Sequence, residues 1–162
     1  MTRTLLAVMS VVGGCVVAPP VLADIINVPA DQPTIQAGID AAVDGDEVVV
    51  ADGTYTGDGN RDMDFGGKAI TVRSENGADA CIIDLQGSDL DPHRAFYFHS
   101  DETAESVVEG FTIQNGFMDR GGAVLCVDGS SPLFQSCIFQ QNTAWTIFGT
   151  DGGGAVHNFS GS

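Results

Sequence analysis

Positive charge is what this chain has least of. Lysine and arginine together number 6 against 22 aspartates and glutamates, for a formal net charge of −16. Nucleic acid and anionic membrane surfaces both need basic patches, so both are poor partners for it. An acidic surface instead keeps the chain soluble and attracts cations. Long apolar runs are also missing. The one apolar stretch, near the N-terminus, is too short and too interrupted by Gly and Pro to span a bilayer. The four cysteines include no C-x-x-C pair, and His157 is not near a cysteine pair, so no zinc pattern is present. There is no G-x-S-x-G and no catalytic Cys–His pattern. What the chain does have is glycine, 21 residues of it, set among short apolar triplets.

Residues 1–23 have the composition of a secretory signal peptide. Arg3 supplies the positive end, residues 5–12 are mostly apolar, and Val21-Leu22-Ala23 offers a cleavage point before Asp24. The rival reading is lipidation of Cys15 after Val12-Gly13-Gly14. Either way the chain is expected to be exported, to the medium or the cell surface. Arg3 leaves with the signal, which takes the formal charge to −17. Residues 24–162 support one domain. Three cysteines follow the signal: Cys81, Cys126 and Cys137. An odd number cannot all pair within one chain. Stacked free thiols at inward positions are preferred over a 126–137 disulfide.

The organising stretch is residues 121–144, GGAVLCVDGSSPLFQSCIFQQNTA, and a second copy starts at Gly153 as GGAVHNFSGS. Such pieces are too brief to bury a core alone, but they become stable when like pieces stack on them. A strand has period two, so Val124 and Cys126 share a face. The same alternation gives inward pairs Ile26/Val28, Val48/Val50, Ile70/Val72, Phe96/Phe98, Val124/Cys126 and Val156/Asn158, which are expected to stack in columns. Val48-Val49-Val50 fits either register. Val108, Phe111 and Ile113 fall where Phe134, Cys137 and Phe139 fall 26 residues later. Residues 33–43 read as a helix, with Ile35, Ile39, Ala42 and Val43 on one stripe and Asp44-Gly45-Asp46 as its stop. Its expected role is to cover the open first coil.

These residues carry a resemblance. The GGAV pair, with F-x-x-N at Phe139 to Asn142, resembles the repeat of bacterial polymorphic outer membrane proteins. The chain from about Ile25 onward also resembles secreted right-handed parallel β-helix proteins of the pectate-lyase-like superfamily. Pro33-Thr34-Ile35-Gln36, Asp44-Gly45-Asp46, Gly53-Thr54-Tyr55, residues 68–72 (KAITV), residues 109–113 (EGFTI) and Ser131-Pro132 carry that likeness. The expected fold is therefore all-β, a right-handed parallel β-helix with an N-terminal capping helix. The sequence stops at Ser162, just after the second GGAV strand has begun, and reads as part of a longer β-helix.

Two polar loops carry the candidate chemistry. Asp58, Asn60 and Asp62 imitate the first half of a calcium loop, and Asp64 could add an oxygen. Met63 stands where such a loop needs Gly and Ala69 where it needs Glu, so a solvated turn is preferred and no cofactor is assigned. Asp89, Asp91 and His93 lie close together in the second loop, where a satisfied surface loop is again preferred. Asn115 and Asn142 follow strands and are expected to satisfy backbone groups of adjacent coils. Outward strand positions carry Thr71, Arg73, Tyr97, Leu125 and His157. Arg73 is the candidate base for a lyase, but no outward carboxylates are expected beside it on neighbouring coils. The preferred function is a secreted or cell-surface scaffold, adhesin-like or glycan-contacting, with extracellular polysaccharide or cell-surface components as partners. The alternative is the N-terminal part of a polysaccharide lyase or glycoside hydrolase. Catalysis stays open, and the missing parts argue against it within these residues.

Overall fold

The structure, a computed structural model, describes residues 22–145 and 154–159. The signal reading, except for Leu22 and Ala23, and the Cys15 alternative lie outside the described residues, as does Gly153 of the second repeat. The elements are β1 (Ile25–Val28), α1 (Ile35–Ala41), β2 (Glu47–Val50), β3 (Gly53–Tyr55), β4 (Thr71–Ser74), β5 (Cys81–Asp84), β6 (Phe96–Phe98) and β7 (Val107–Glu109). They continue with β8 (Thr112–Gln114), β9 (Phe117–Met118), β10 (Val124–Cys126), β11 (Leu133–Gln135), β12 (Ile138–Gln140), β13 (Thr143–Ala144) and β14 (Val156–Asn158).

Every pairing between these strands is parallel, and each joins strands that are apart in sequence. The chain is a β-solenoid of about five coils. Sheet A runs β1-β2-β4-β7-β11, sheet B runs β3-β5-β8-β12, and sheet C runs β6-β10-β14; β9 and β13 form a short fourth ladder. Sheet C starts one coil earlier than its strands suggest, because Met63 makes an isolated parallel bridge to Phe96.

Three of the sequence registers are found as read, the first being Ile26 on Val48 and Val28 on Val50. Phe96 pairs with Val124 and Val124 with Val156, while Val108 pairs with Phe134 and Ile113 with Phe139. The expected columns need two corrections. Val72 stacks on Val48, not Val50, so β4 is shifted by two residues from the expected pairing. Val72 then continues to Val108 in sheet A, whereas Phe96 belongs to sheet C. Alternation reports which way a side chain points, but it does not say which wall of the coil the strand occupies.

The core is the inside of the coil. Phe65, Phe96 and Phe98 are buried there, with ring centroids 5.0 Å apart for Phe65–Phe98 and 5.9 Å for Phe96–Phe98. Phe134 meets Phe98 edge-on at 6.0 Å and joins them to Phe139. Such contacts add to the area term that holds stacked coils together. The three described cysteines are free, as preferred, but Cys126 and Cys137 do not stack on each other. Cys126 sits in sheet C between Phe98 and Asn158, and Cys137 lies between β11 and β12, its thiol donating to the Val108 carbonyl at 3.6 Å. Burial raises all three thiol pKa values, Cys81 to about 12 and Cys126 to about 11.

The helix covers the first coils. It begins later than expected, with Thr34 as its N-cap accepting from Ala37 N, and Pro33 lies outside it. Ile35, Ile39 and Ala42 are buried, but Val43 is 55% exposed because the chain has already left the helix there. Gly38 is where the helix touches the coil, since a Cβ there would lie 2.7 Å from Val48 Cγ1. At the other end Lys68 Nζ donates to the Ile39 and Asp40 carbonyls at 2.7 and 3.0 Å, satisfying acceptors the short helix leaves open. Ile39→Asp is expected to destabilise by about 2–4 kcal/mol through lost burial and a buried charge. An unchanged denaturation midpoint would show that the helix does not cover the core.

Candidate functional site

Inward residues build the core, so any site must use outward positions, corners and loops. The four calcium candidates do not converge. Asn60 is buried and serves α1, its Oδ1 accepting from Ile35 N at 3.1 Å while its Nδ2 donates to the Thr56 carbonyl. Asp58 pairs with Arg61 at 3.0 Å. Asp62 accepts from Arg94 N and pairs with His93. Asp64 accepts from Gly66 N and lies 3.2 Å from His99 Nε2. The loop is strapped to the helix as well, because Gln36 exchanges hydrogen bonds with the backbone of Asp64. No group of three or more His, Cys, Asp or Glu that could hold a metal ion occurs among the described residues. The polar spacing that imitates a calcium loop here caps a helix and ties two coils.

The second loop is satisfied, as expected, but by groups from the first loop. His93 lies between Asp62 and Asp91, with Nε2 3.1 Å from Asp91, and Arg61 reaches Asp91 at 3.6 Å. The two polar loops are thus clipped together, while Asp89 takes no part in that clip. Asn142 behaves as expected, accepting from Gly116 N and donating to the Ile113 carbonyl. Asn115 instead donates to the Asp84 carboxylate at 3.0 Å, and the pairing of Gln114 with Gln140 just before it shows that Asn115 and Asn142 are one residue out of step. The outward face of sheet B carries a side-chain ladder across three coils, Gln140 to Gln114 at 2.7 Å and Gln114 to Asp84 at 3.0 Å.

Arg73 stands on the outside of sheet A, and carboxylates do flank it. Glu109 is its register partner, and Glu47 receives its guanidinium through two contacts of 3.0 Å. The Glu47 hydrogen bond raises the Arg73 pKa, which is opposite to what a proton-abstracting base needs. Arg73 is therefore an ion-pair residue, and the calcium candidates do not join it.

A different arginine has the features sought. Outside sheet C, Asp62, Arg94, Tyr97, Met118, Asp119, Arg120 and Leu125 line a groove of about 480 Å³. Tyr97 and Leu125 are outward register partners, so the strands themselves set the groove floor. Tyr97 is 38% exposed and stacks on His99 at 4.3 Å. Arg94 is only 7% exposed, with its guanidinium carbon 5.5 Å from the Tyr97 ring centroid. Its Nη2 lies 3.5 Å from Asp119, whereas Nη1 is buried without a hydrogen-bond partner among the described residues. Burial pushes the Arg94 guanidinium pKa down, partly countered by Asp119, Asp62 and Tyr97. Tyr97 and Leu125 were legible as outward positions, but Arg94 was missed. It follows His93 in a polar loop, and only the stacking of the next coil buries it.

Compared with protein-family models, curated proteins and solved structures, the chain matches none.

Proposed function

We propose that this is an exported, non-catalytic β-solenoid that contacts glycans through the groove outside sheet C. The observation that carries the reading is the exposed Tyr97 ring set among Arg94, Asp62 and Asp119. An aromatic face takes the apolar face of a sugar ring, while guanidinium and carboxylate groups hydrogen-bond its hydroxyls. The likeness to secreted pectate-lyase-like β-helices and to outer membrane protein repeats agrees with this reading, as does the secretory composition of residues 1–23. The partners proposed are extracellular polysaccharide or cell-surface components.

The second reading is the N-terminal part of a polysaccharide lyase or glycoside hydrolase. One observation favours it: a buried arginine with lowered pKa stands beside two carboxylates on the outside of stacked parallel strands. Against it, Asp62 is already engaged by Arg94 N and His93.

The test is an array of plant and bacterial glycans probed with the exported chain, whose N-terminus is expected at Asp24. Tyr97→Ala is expected to lower binding roughly tenfold or more, since it removes the ring that stacks on the sugar. Array binding that survives the change unaltered rejects the groove. Unsaturated product from polygalacturonate that vanishes in Arg94→Ala would replace the scaffold reading with the lyase.

A further inference from the structure

A second groove lies at the corner where sheet B gives way to the β9–β13 ladder. It measures about 450 Å³, and its lining includes Asp84, Gln86, Asn115, Phe117, Gln141 and Thr143. Three successive coils supply them. Gln86 comes just after β5, Asn115 after β8 and Gln141 after β12, and all three hold left-handed backbone, with φ of 52, 58 and 57°. Part of the lining is backbone in close approach, since a Cβ at Gly87 would lie 2.6 Å from Phe117 N. Phe117 lines this groove and Met118 lines the groove outside sheet C, so β9 is the wall between the two. The Phe117 ring stacks on Trp145 at 6.5 Å. The polar groups at this corner are open to solvent. Gln86, Gln141 and Thr143 are exposed, and Asp84, Asn115 and Phe117 are half-buried. The Asp84 carboxylate is already spent within the fold. It accepts from Gln86 N at 3.2 Å, and from Asn115 Nδ2 and Gln114 Nε2 at 3.0 Å each. That contact fixes the Asn115 amide and leaves its Oδ1 as an acceptor. The side-chain amides of Gln86 and Gln141 have no hydrogen-bond partner among the described residues. Among the described residues no lysine, arginine or histidine lines the groove.

We propose that this corner is a second saccharide site and that it takes neutral sugars. It lies outside the groove of the glycan reading above and needs neither Tyr97 nor Arg94. A primary amide carries donors and an acceptor side by side, as a sugar hydroxyl does, so a row of amides matches a row of hydroxyls. The Phe117 ring adds an apolar surface beside them. Charge selects among the sugars. Asp84 stands in the wall, no described cation faces it, and the whole chain is at −16. A uronate or sulfated chain therefore meets repulsion and no partner. Phe117 is the one large apolar residue in the described lining, which is too little apolar surface to seat the side chains of a peptide.

Nuclear magnetic resonance titration of the exported chain tests this. The probes are neutral pentasaccharides of glucose, mannose, xylose and galactose, and a galacturonic acid pentamer. The side-chain amide signals of Gln86, Asn115 and Gln141 are followed, because an exposed amide reports even weak binding. At least one neutral pentasaccharide is expected to shift all three saturably, and the galacturonic acid pentamer none of them. Gln86→Ala combined with Gln141→Ala removes two exposed amides that hold nothing in the described fold. The remaining Asn115 signal is then expected to titrate roughly tenfold more weakly. Undiminished affinity in that variant overturns the amide row. If the variant does not fold, the titration of the unaltered chain decides alone: no shift with any neutral sugar overturns the site. Shifts with the galacturonic acid pentamer as large as with the neutral sugars overturn the neutral preference. Repeating the titration in Tyr97→Ala separates the two grooves. Shifts that persist there belong to the corner, even if the groove outside sheet C binds nothing, whereas shifts that vanish with Tyr97 overturn a second site.

Discussion

Glu102→Ala is expected to lower stability by about 3 kcal/mol or more, because three donors lose one acceptor in the core wall. The carboxylate is 1% exposed. Its Oε1 accepts from Gly67 N at 3.0 Å, and its Oε2 accepts from Ser100 N at 2.9 Å and from Ser130 Oγ at 2.7 Å. Those donors belong to three successive coils, so the side chain staples the stack at one corner. Burial by itself raises the carboxyl pKa, but the hydrogen bonds from Ser100, Ser130 and Gly67 outweigh burial and hold it below the usual carboxylate value. The sign follows from a folded pKa below the unfolded one. Glu102 stabilises fully above the unfolded value, near 4.5, and this contribution is lost as pH falls through the folded value. Urea midpoints of the parent and the variant should therefore converge on acidification below about pH 4.5. A gap that stays constant into that range would show that the carboxylate's charge plays no part, and no gap at neutral pH would remove the staple altogether.

Gly116→Ala is the other large effect. A Cβ at Gly116 would stand 1.9 Å from the Gly122 carbonyl oxygen, and one at Gly122 would stand 2.5 Å from both the Gly154 and Thr143 oxygens. These are backbone atoms of neighbouring segments, which cannot swing aside as a side-chain tip can. The cost is expected at about 3 kcal/mol, at the upper end of overpacking. Gly154→Ala is the matched control. Among the described residues its Cβ would meet nothing closer than the Asn142 oxygen at 3.9 Å, so about 0.5 kcal/mol or less is expected. Equal thermal shifts for the two variants would show that the tight approach between coils is not what needs glycine. The contrast also explains the repeat. The GGAV glycine at position 122 is required by the coil lying on it, and the equivalent Gly154 has no described segment that close.

The strands were legible because alternation survives in three-residue pieces. Phe96-Tyr97-Phe98 and Val124-Leu125-Cys126 show their inward and outward sides without ambiguity, and their pairing is as read. The wall on which a strand lies was not legible, since Ile70-Thr71-Val72 and Phe96-Tyr97-Phe98 alternate alike yet belong to sheets A and C. Met63 hid the start of sheet C, because a lone bridge in a polar loop has no period to detect. The candidate site suffered from the same gap. Asp62 was marked for calcium, and its partners Arg94 and His93 lie more than 30 residues away in sequence. Arg73, on a clean strand, reads from the sequence as the outward cation, although the stacking of coils pairs it with Glu47 and buries Arg94 instead.

Lys68 is the single lysine of the sequence, and its amine is spent on the Ile39 and Asp40 carbonyls at the end of α1. Apart from the chain's own α-amine, it is the one primary amine an acylating reagent can reach. Acylation would turn that amine into an amide, removing its charge and all but one of its N–H donors, so the end of α1 would lose this support. A single lysine at that place makes the contact between the second coil and α1 addressable by one chemical modification, with no residue to be engineered in.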